Sequence, residues 1–167
     1  LTLLDEVLDV YENIASESEV SEVAFDLKTR TALILQHKLL DLPAAIASWQ
    51  AVLQLSPFDL IAAESLDVIY SDQQNWQKLS EILPLLAEIV SDDTERTTQL
   101  SMRLGRINEE ELANPLEAIQ WYEKAWRLDA VGTTAAEALE RLLTEEEQPE
   151  LLAEVLVSVV WNNEGEV

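Results

Sequence analysis

The chain repeats its own apolar pattern after 73 positions. The segments 41–49 (DLPAAIASW) and 114–122 (NPLEAIQWY) align when Ala45 is placed on Ala118. At the same offset, residues 27–83 match residues 100–156 without a gap; the matches include Leu27 with Leu100, Ile34 with Ile107, Leu55 with Leu128, Ala63 with Ala136 and Leu66 with Leu139. A self-match of this period is typical of stacked helical units, in which each unit buries its apolar face against the next.

Within each copy the apolar residues follow the spacing of one helix face, as in the run Leu79, Ile82, Leu83 and Leu86. The breaks between such runs fall at residues that cap or end helices, with Asp41 and Asn114 as the clearest N-caps. With only 3 Gly and 5 Pro, the chain has too few turn residues for a β-sandwich or barrel. We predict an all-α fold with helices at 2–15, 22–39, 42–55, 59–71, 75–90, 94–111, 115–128, 133–144 and 148–161.

Small and aromatic residues in these helices resemble those of the tetratricopeptide repeat (TPR) family. The later copy has Leu104-Gly105, Ala118, Tyr122, Ala125 and Asp129. The earlier copy has Ala32, Ala45, Trp49, Val52 and Ser56-Pro57. Repeats at about 22–57, 58–92, 94–130 and 131–162 come close to the family period of about 34 residues. The resemblance implies a right-handed α-solenoid of antiparallel helix pairs, with about four TPR-like repeats.

The first predicted helix stands outside these four repeats. At an offset of 75 residues, Leu4, Leu8 and Ile14 match Leu79, Leu83 and Ile89, which belong to a second helix of a pair. We therefore expect residues 1–16 to be the second half of a preceding repeat. The whole range 1–167 is predicted to form a single solenoid block, excised from a longer protein.

The charge of the chain bears on its partners. Asp and Glu number 33 and Lys and Arg 10, which gives a formal net charge of −23. Nucleic acid and anionic membranes would be repelled, so we expect neither as a partner. An acidic mimic of nucleic acid stays open as a minor alternative, whereas the simplest role of the charge is solubility. No apolar run approaches the roughly 18 residues of a membrane span, and no signal peptide is recognisable, so we expect a cytoplasmic protein.

Residues for catalysis are scarce. His37 is the only histidine and there is no cysteine, which excludes two-histidine and thiolate metal sites. The three glycines are too scattered for a phosphate-binding loop. The acidic runs 109–111 and 145–147 lack the glycine turn of a calcium loop and are expected to be solvated helix ends. The sequence therefore predicts no enzyme activity, no cofactor and no metal.

The TPR resemblance also implies a binding surface on the concave side, formed by the first helix of each pair. Its candidate residues are Leu33, Ile61, Val68, Met102, Arg103, Arg106 and Arg141. The surface would be apolar in the early repeats and basic in the later ones, which favours a partner segment that combines apolar and acidic residues. Neutralisation of these arginines by Glu109, Glu110 or Glu137 is the competing interpretation.

Trp121 is a further candidate contact, because the equivalent residue of the earlier copy is Ser48 and an exposed indole often anchors a partner. Partial burial under neighbouring helices is the alternative for this side chain.

Two functions follow from the sequence. The first is a protein–protein interaction scaffold that binds a partner segment in the concave groove. The second is a structural spacer or regulatory arm of a larger protein, without independent activity.

Overall fold

The computed structural model describes residues 3–17, 21–129 and 133–164. The chain divides into two compact units, Leu1–Asn75 (unit 1) and Trp76–Val167 (unit 2). Within the described ranges every regular element is helical and no β-strand occurs, which confirms the predicted fold class. The boundary between the units falls inside the second predicted repeat, between its two helices, and the single-block organisation stays a prediction.

Unit 1 contains four helices, each of which packs against the next along the chain. They are α1 (Leu3–Glu17), α2 (Ser21–Ile34), α3 (Leu42–Leu55) and α4 (Leu60–Asp72), with a π-helical turn, π1 (Leu35–Leu39), at the end of α2. Asp41 and Asp59 cap α3 and α4, because their carboxylates accept the backbone N–H of Ala44 at 3.1 Å and of Ala62 at 2.8 Å. The short connection between α3 and α4 makes these two helices antiparallel.

Unit 2 contains the remaining helices, again packed in chain order. They are α5 (Trp76–Ile89), α6 (Thr94–Arg106), α7 (Pro115–Leu128), α8 (Thr133–Glu145) and α9 (Pro149–Glu164), with a second π-helical turn, π2 (Ile107–Glu111), at the end of α6. Asn114 accepts the backbone N–H of Glu117 at 3.5 Å, with Pro115 in the first turn of α7 as predicted. Eight of the nine helices in the described ranges begin and end within two residues of the predicted bounds, when π1 and π2 are counted with α2 and α6, and α9 ends three residues later than predicted.

The turns repeat with the same period as the sequence. Positions 73 residues apart, called equivalent positions below, have the same unusual backbone: φ is 55° at Leu40 and 51° at Ala113, and 52° at Gln74 and 54° at Glu147. The hydrogen bonds of these turns are equivalent as well, since Asp41 N donates to Leu35 O at 3.0 Å and Asn114 N to Asn108 O at 2.7 Å. The two copies therefore share their turn geometry in addition to their apolar pattern.

In unit 2, a small residue on α6 meets a buried aromatic residue on α7. Gly105 lies so close to Tyr122 that an added Cβ would stand 2.5 Å from the ring atom Cε1. The equivalent positions hold Ala32 and Trp49, and both of these side chains are fully buried. Gly105, one of the small residues of the TPR pattern, therefore allows α6 and α7 to approach closely, and a larger side chain at this position has no room.

We expect Ala113→Gly to stabilise the protein by up to about 1 kcal/mol, because a left-handed conformation strains any residue with a Cβ and suits glycine. Chemical denaturation measures the free energy of unfolding. Ala47→Gly is the matched control, since Ala47 is exposed in the middle of α3, where glycine costs about 1 kcal/mol. A loss of stability in both variants would contradict the left-handed assignment.

Gly105→Ala should destabilise the protein by about 1–3 kcal/mol through overpacking, although alanine is the better helix former. The reason is that the buried Tyr122 ring would have to move away from the new methyl group. The melting temperature measures the effect. A rise in melting temperature, as at an unhindered helix position, would show that the two helices do not approach this closely.

Candidate functional site

The candidate residues of unit 1 present apolar side chains to solvent. Leu33 on α2 is 39% exposed, and Ile61 and Val68 on α4 are 55% and 53% exposed. Phe58, in the turn before α4, is 60% exposed and was not singled out by the sequence analysis. The sequence signal for the exposure of Phe58 was its position directly after Ser56-Pro57, where the chain leaves α3. The exposed apolar surface around α4 therefore includes Phe58 in addition to the predicted groove residues Ile61 and Val68.

The equivalent positions of unit 2 have a different chemistry. Leu33 corresponds to Arg106, Ile61 to Thr134 and Val68 to Arg141, and all three residues of unit 2 are exposed. Because both copies keep the same turns and caps, the fold does not require apolar side chains at these three positions. The stability of the helix pairs therefore does not explain why unit 1 has apolar residues at these positions.

Arg141 is held by a carboxylate of its own unit. Its Nη2 donates to Oε1 of Glu109, and the second carboxylate oxygen, Oε2, accepts the hydroxyl of Tyr122 at 2.9 Å. Glu109 on π2 therefore links α7 and α8. Arg141 is thus paired with a glutamate, as in the alternative interpretation of the sequence, although its side chain stays half-exposed.

The link from Tyr122 to Glu109 also changes the acidity of the phenol. Tyr122 is only 2% exposed, and burial raises its pKa above the ordinary value. The hydrogen bond to Glu109 and the nearby charges of Glu109 and Glu110 raise the pKa further, while Arg106 lowers it. The side chain therefore stays protonated in the folded state at pH values where a free tyrosine ionises.

Arg103 and Arg106 line a cleft on the surface of unit 2. Trp76, at the start of α5, and Ile107 form its apolar part, and the other lining residues are Glu110 and Glu111. Arg103 is partly buried and Arg106 is exposed. The cleft thus combines two guanidinium groups with an indole, but two carboxylates share its rim. The structure brings Arg103 and Arg106 together in this cleft, whereas Arg141 is paired with Glu109.

The two remaining candidates, Met102 and Trp121, are both partly buried. Met102 is partly buried and packs against the core of unit 2, which consists of Ala118, Ile119, Tyr122, Ala125, Trp126, Ala135, Ala136, Leu139, Leu142, Leu143 and Val155. Trp121 is also partly buried, and the ammonium group of Lys124 lies 5.1 Å from the centre of its ring. A cation one helical turn away therefore covers part of the indole that the sequence analysis expected to be exposed.

The described part of the chain contains neither a metal-binding cluster nor a membrane-spanning helix. Among residues 3–17, 21–129 and 133–164 no three His, Cys, Asp or Glu side chains are placed to hold a metal ion. No helix in these ranges is both long and apolar enough to cross a membrane. His37, the only histidine, is exposed on π1.

Comparison with known proteins supports the fold. No protein-family model matches the chain, and no curated protein matches its sequence. A crystal structure of MamA is similar over 98% of this chain and 90% of the MamA chain, with 14% sequence identity and a TM-score of 0.50. MamA from Desulfovibrio magneticus RS-1 (16% identity, 95% and 96% coverage, TM-score 0.46) and PilF from Pseudomonas aeruginosa (15% identity, 96% and 78% coverage, TM-score 0.48) are also similar. MamA is a TPR-like helical protein, and the match shows that this chain has a TPR-like fold.

We expect the buried Tyr122 to destabilise the protein at alkaline pH. Above about pH 10 the unfolded chain loses the phenolic proton while the folded chain keeps it, so the folded state binds more protons and the free energy of unfolding falls as pH rises. The stabilisation is complete below about pH 10 and decreases by about 1.4 kcal/mol by about pH 11. Tyr122→Phe has no phenolic proton to lose, so the difference in the free energy of unfolding between wild type and variant should shrink over the same pH interval. A constant difference would contradict the raised pKa.

Proposed function

We propose that the chain is a protein–protein interaction scaffold that binds partner segments through the first helix of its helix pairs. The contact surface of unit 1 is formed by Leu33, Ile61 and Val68. The contact surface of unit 2 is formed by Arg103 and Arg106. Catalysis is not part of this proposal, because the sequence offers a single histidine, no cysteine and no phosphate-binding glycine loop.

One observation carries the proposal. Three exposed positions of unit 1 hold leucine, isoleucine and valine, while the equivalent positions of unit 2 hold arginine, threonine and arginine within the same helix-pair geometry. Exposed apolar side chains that the fold does not need lower solubility and are typical of binding surfaces. A partner that covers Ile61 and Val68 would remove this apolar area from water, which stabilises the complex by about 25 cal/mol for each Å² buried.

The surface of unit 2 favours acidic partner residues. Arg106 is exposed beside the indole of Trp76, and a guanidinium group can bind a carboxylate through two parallel hydrogen bonds. An apolar residue next to that carboxylate would pack on Trp76 and Ile107. We therefore propose a ligand with neighbouring acidic and apolar residues for this cleft. Glu110 and Glu111 at the rim disfavour any second acidic residue there.

The decisive experiment exchanges residues between equivalent positions. A variant with Leu33→Arg, Ile61→Thr and Val68→Arg gives unit 1 the exposed residues of unit 2, and the fold of unit 2 tolerates these residue types. Proteins bound by the intact chain are recovered from cells of its source, and the contacting segment is measured as a synthetic peptide. We expect the exchange to weaken binding of an apolar segment at least about tenfold, because two or three central contacts supply most of the binding energy.

A matched control places the same new charges elsewhere. Leu116 on α7 and Val157 on α9 are 52% and 55% exposed on second helices, so Leu116→Arg with Val157→Arg adds two arginines away from the proposed surface. For the cleft, Arg106→Glu is compared with Lys38→Glu, which makes the same charge change in unit 1. Equal binding by exchange and control variants would reject the scaffold proposal and favour the structural spacer.

A further inference from the structure

Glu109 on π2 has two arginines close to it in unit 2. Arg141 on α8 donates through Nη2 to Oε1 of Glu109, while Oε2 accepts the Tyr122 hydroxyl at 2.9 Å. Arg106 stands three residues before Glu109, a spacing at which side chains on a helix are neighbours. Its positive charge opposes the raised pKa of Tyr122, so it lies near the carboxylate that this phenol contacts. Among the residues that the structure describes, however, Glu109 is paired with Arg141, and Arg106 has no carboxylate within ion-pair distance.

The residues at these three positions differ together between the two copies. In unit 1, the equivalents of Glu109 and the two arginines are an amide and two apolar residues: Gln36, Leu33 and Val68. Gln36 still serves the buried aromatic residue of its helix pair, because its Oε1 accepts Trp49 Nε1 at 2.8 Å. A neutral acceptor is therefore sufficient for this packing. The charged acceptor of unit 2 occurs together with two cations rather than one.

The carboxylate of Glu109 needs a cation because it is mostly buried. Its side chain is 18% exposed, and a charge removed from water is costly unless an opposite charge accompanies it. Glu110, which lines the cleft together with Arg106, is exposed, so water solvates its charge. An ion pair between Arg106 and Glu110 would therefore contribute little. Glu109 is the stronger competitor for Arg106 once no other cation is present.

We propose that Arg141 is a positioning residue for the cleft of unit 2: by pairing with Glu109, it keeps the Arg106 guanidinium available to an acidic ligand. The inference rests on the proposed function of this cleft and adds the residue that sets its charge. With Arg141 in place, Arg106 stays exposed beside Trp76. Without Arg141, Arg106 turns to Glu109, and the positive charge that would bind the ligand is neutralised within the protein.

The first test measures ligand binding. The probe is a synthetic peptide with one glutamate between leucines, and its control is the same peptide with glutamine; calorimetry gives both affinities for the intact chain. Arg141→Val introduces the residue that unit 1 has at this position. We expect it to weaken the glutamate peptide about tenfold, because the charged contact to Arg106 is lost. The glutamine peptide should change by less than about twofold, since it has no charge to pair.

A second substitution separates positioning from a loss of positive charge. Glu109→Gln, which also introduces the residue of unit 1, leaves Arg106 no buried carboxylate to pair with. The double variant Glu109→Gln with Arg141→Val has the net charge of the wild type. It should recover the affinity for the glutamate peptide to within about twofold, because the two substitutions act on one contact. Glu109→Gln alone should bind at least as well as the wild type.

A measurement without ligand tests the same contact. The side-chain Nε–Hε signal of Arg106 in NMR spectra reports whether its guanidinium donates to a carboxylate. We expect this signal to shift and to exchange more slowly with water in Arg141→Val. It should return to the wild-type position in the double variant. Melting temperatures check that each variant is folded.

Two results would overturn the inference. An unchanged Arg106 signal in Arg141→Val would mean that Glu109 does not attract this arginine. Weaker binding in Arg141→Val that Glu109→Gln does not restore would mean that Arg141 contacts the ligand or acts through overall charge. A failure of the proposed function is distinct: the wild type would bind the two peptides equally or not at all, while the Arg106 signal would still follow both substitutions.

Discussion

The close approach of α6 and α7 in unit 2 depends on a glycine that faces a buried aromatic ring. In unit 2, Tyr122 packs against Gly105 and its hydroxyl needs a hydrogen-bond partner, because a buried polar group without one is costly. Glu109 on π2 supplies that partner. In unit 1, the equivalent residues are Trp49 and Gln36, and the indole Nε1 donates to Gln36 Oε1 at 2.8 Å. The acceptor, the π-helical turn and the capped helix that follows are thus parts of one repeated arrangement.

Once the buried arrangement is fixed, the exposed positions of the two copies are free to differ. Apolar residues stand on α4 and polar or basic residues on α8 at equivalent places, while Glu64 and Glu137 stay the same. The two units therefore offer different surfaces on one kind of framework. A duplicated helix pair gives a protein this option, because the contacts that stabilise each pair lie inside it and constrain the outer face very little.

Most of the fold could be predicted from the sequence, because its signals are local. Apolar spacing, the caps Asp41 and Asn114 and the 73-residue period predicted eight of the nine described helices to within two residues, and α9 to within three. The site was less predictable. Arg141 and Glu109 are 32 residues apart, and their ion pair depends on how α8 packs beside π2, which no local pattern specifies. Trp121 is different, because Lys124 stands one turn away in the sequence and a cation at that spacing could have indicated a covered indole.

The matching turns bear on how such a gene can change its length. Leu40 and Ala113 have the same left-handed backbone, and each is followed by the cap of the next helix. A recombination event that joins residue 40 to residue 114 would remove one whole period and leave a turn that the protein already uses. The reverse event would add a period in the same way. Unequal crossing-over at this point therefore changes the chain by a whole period and keeps a left-handed residue directly before a helix cap at the new junction.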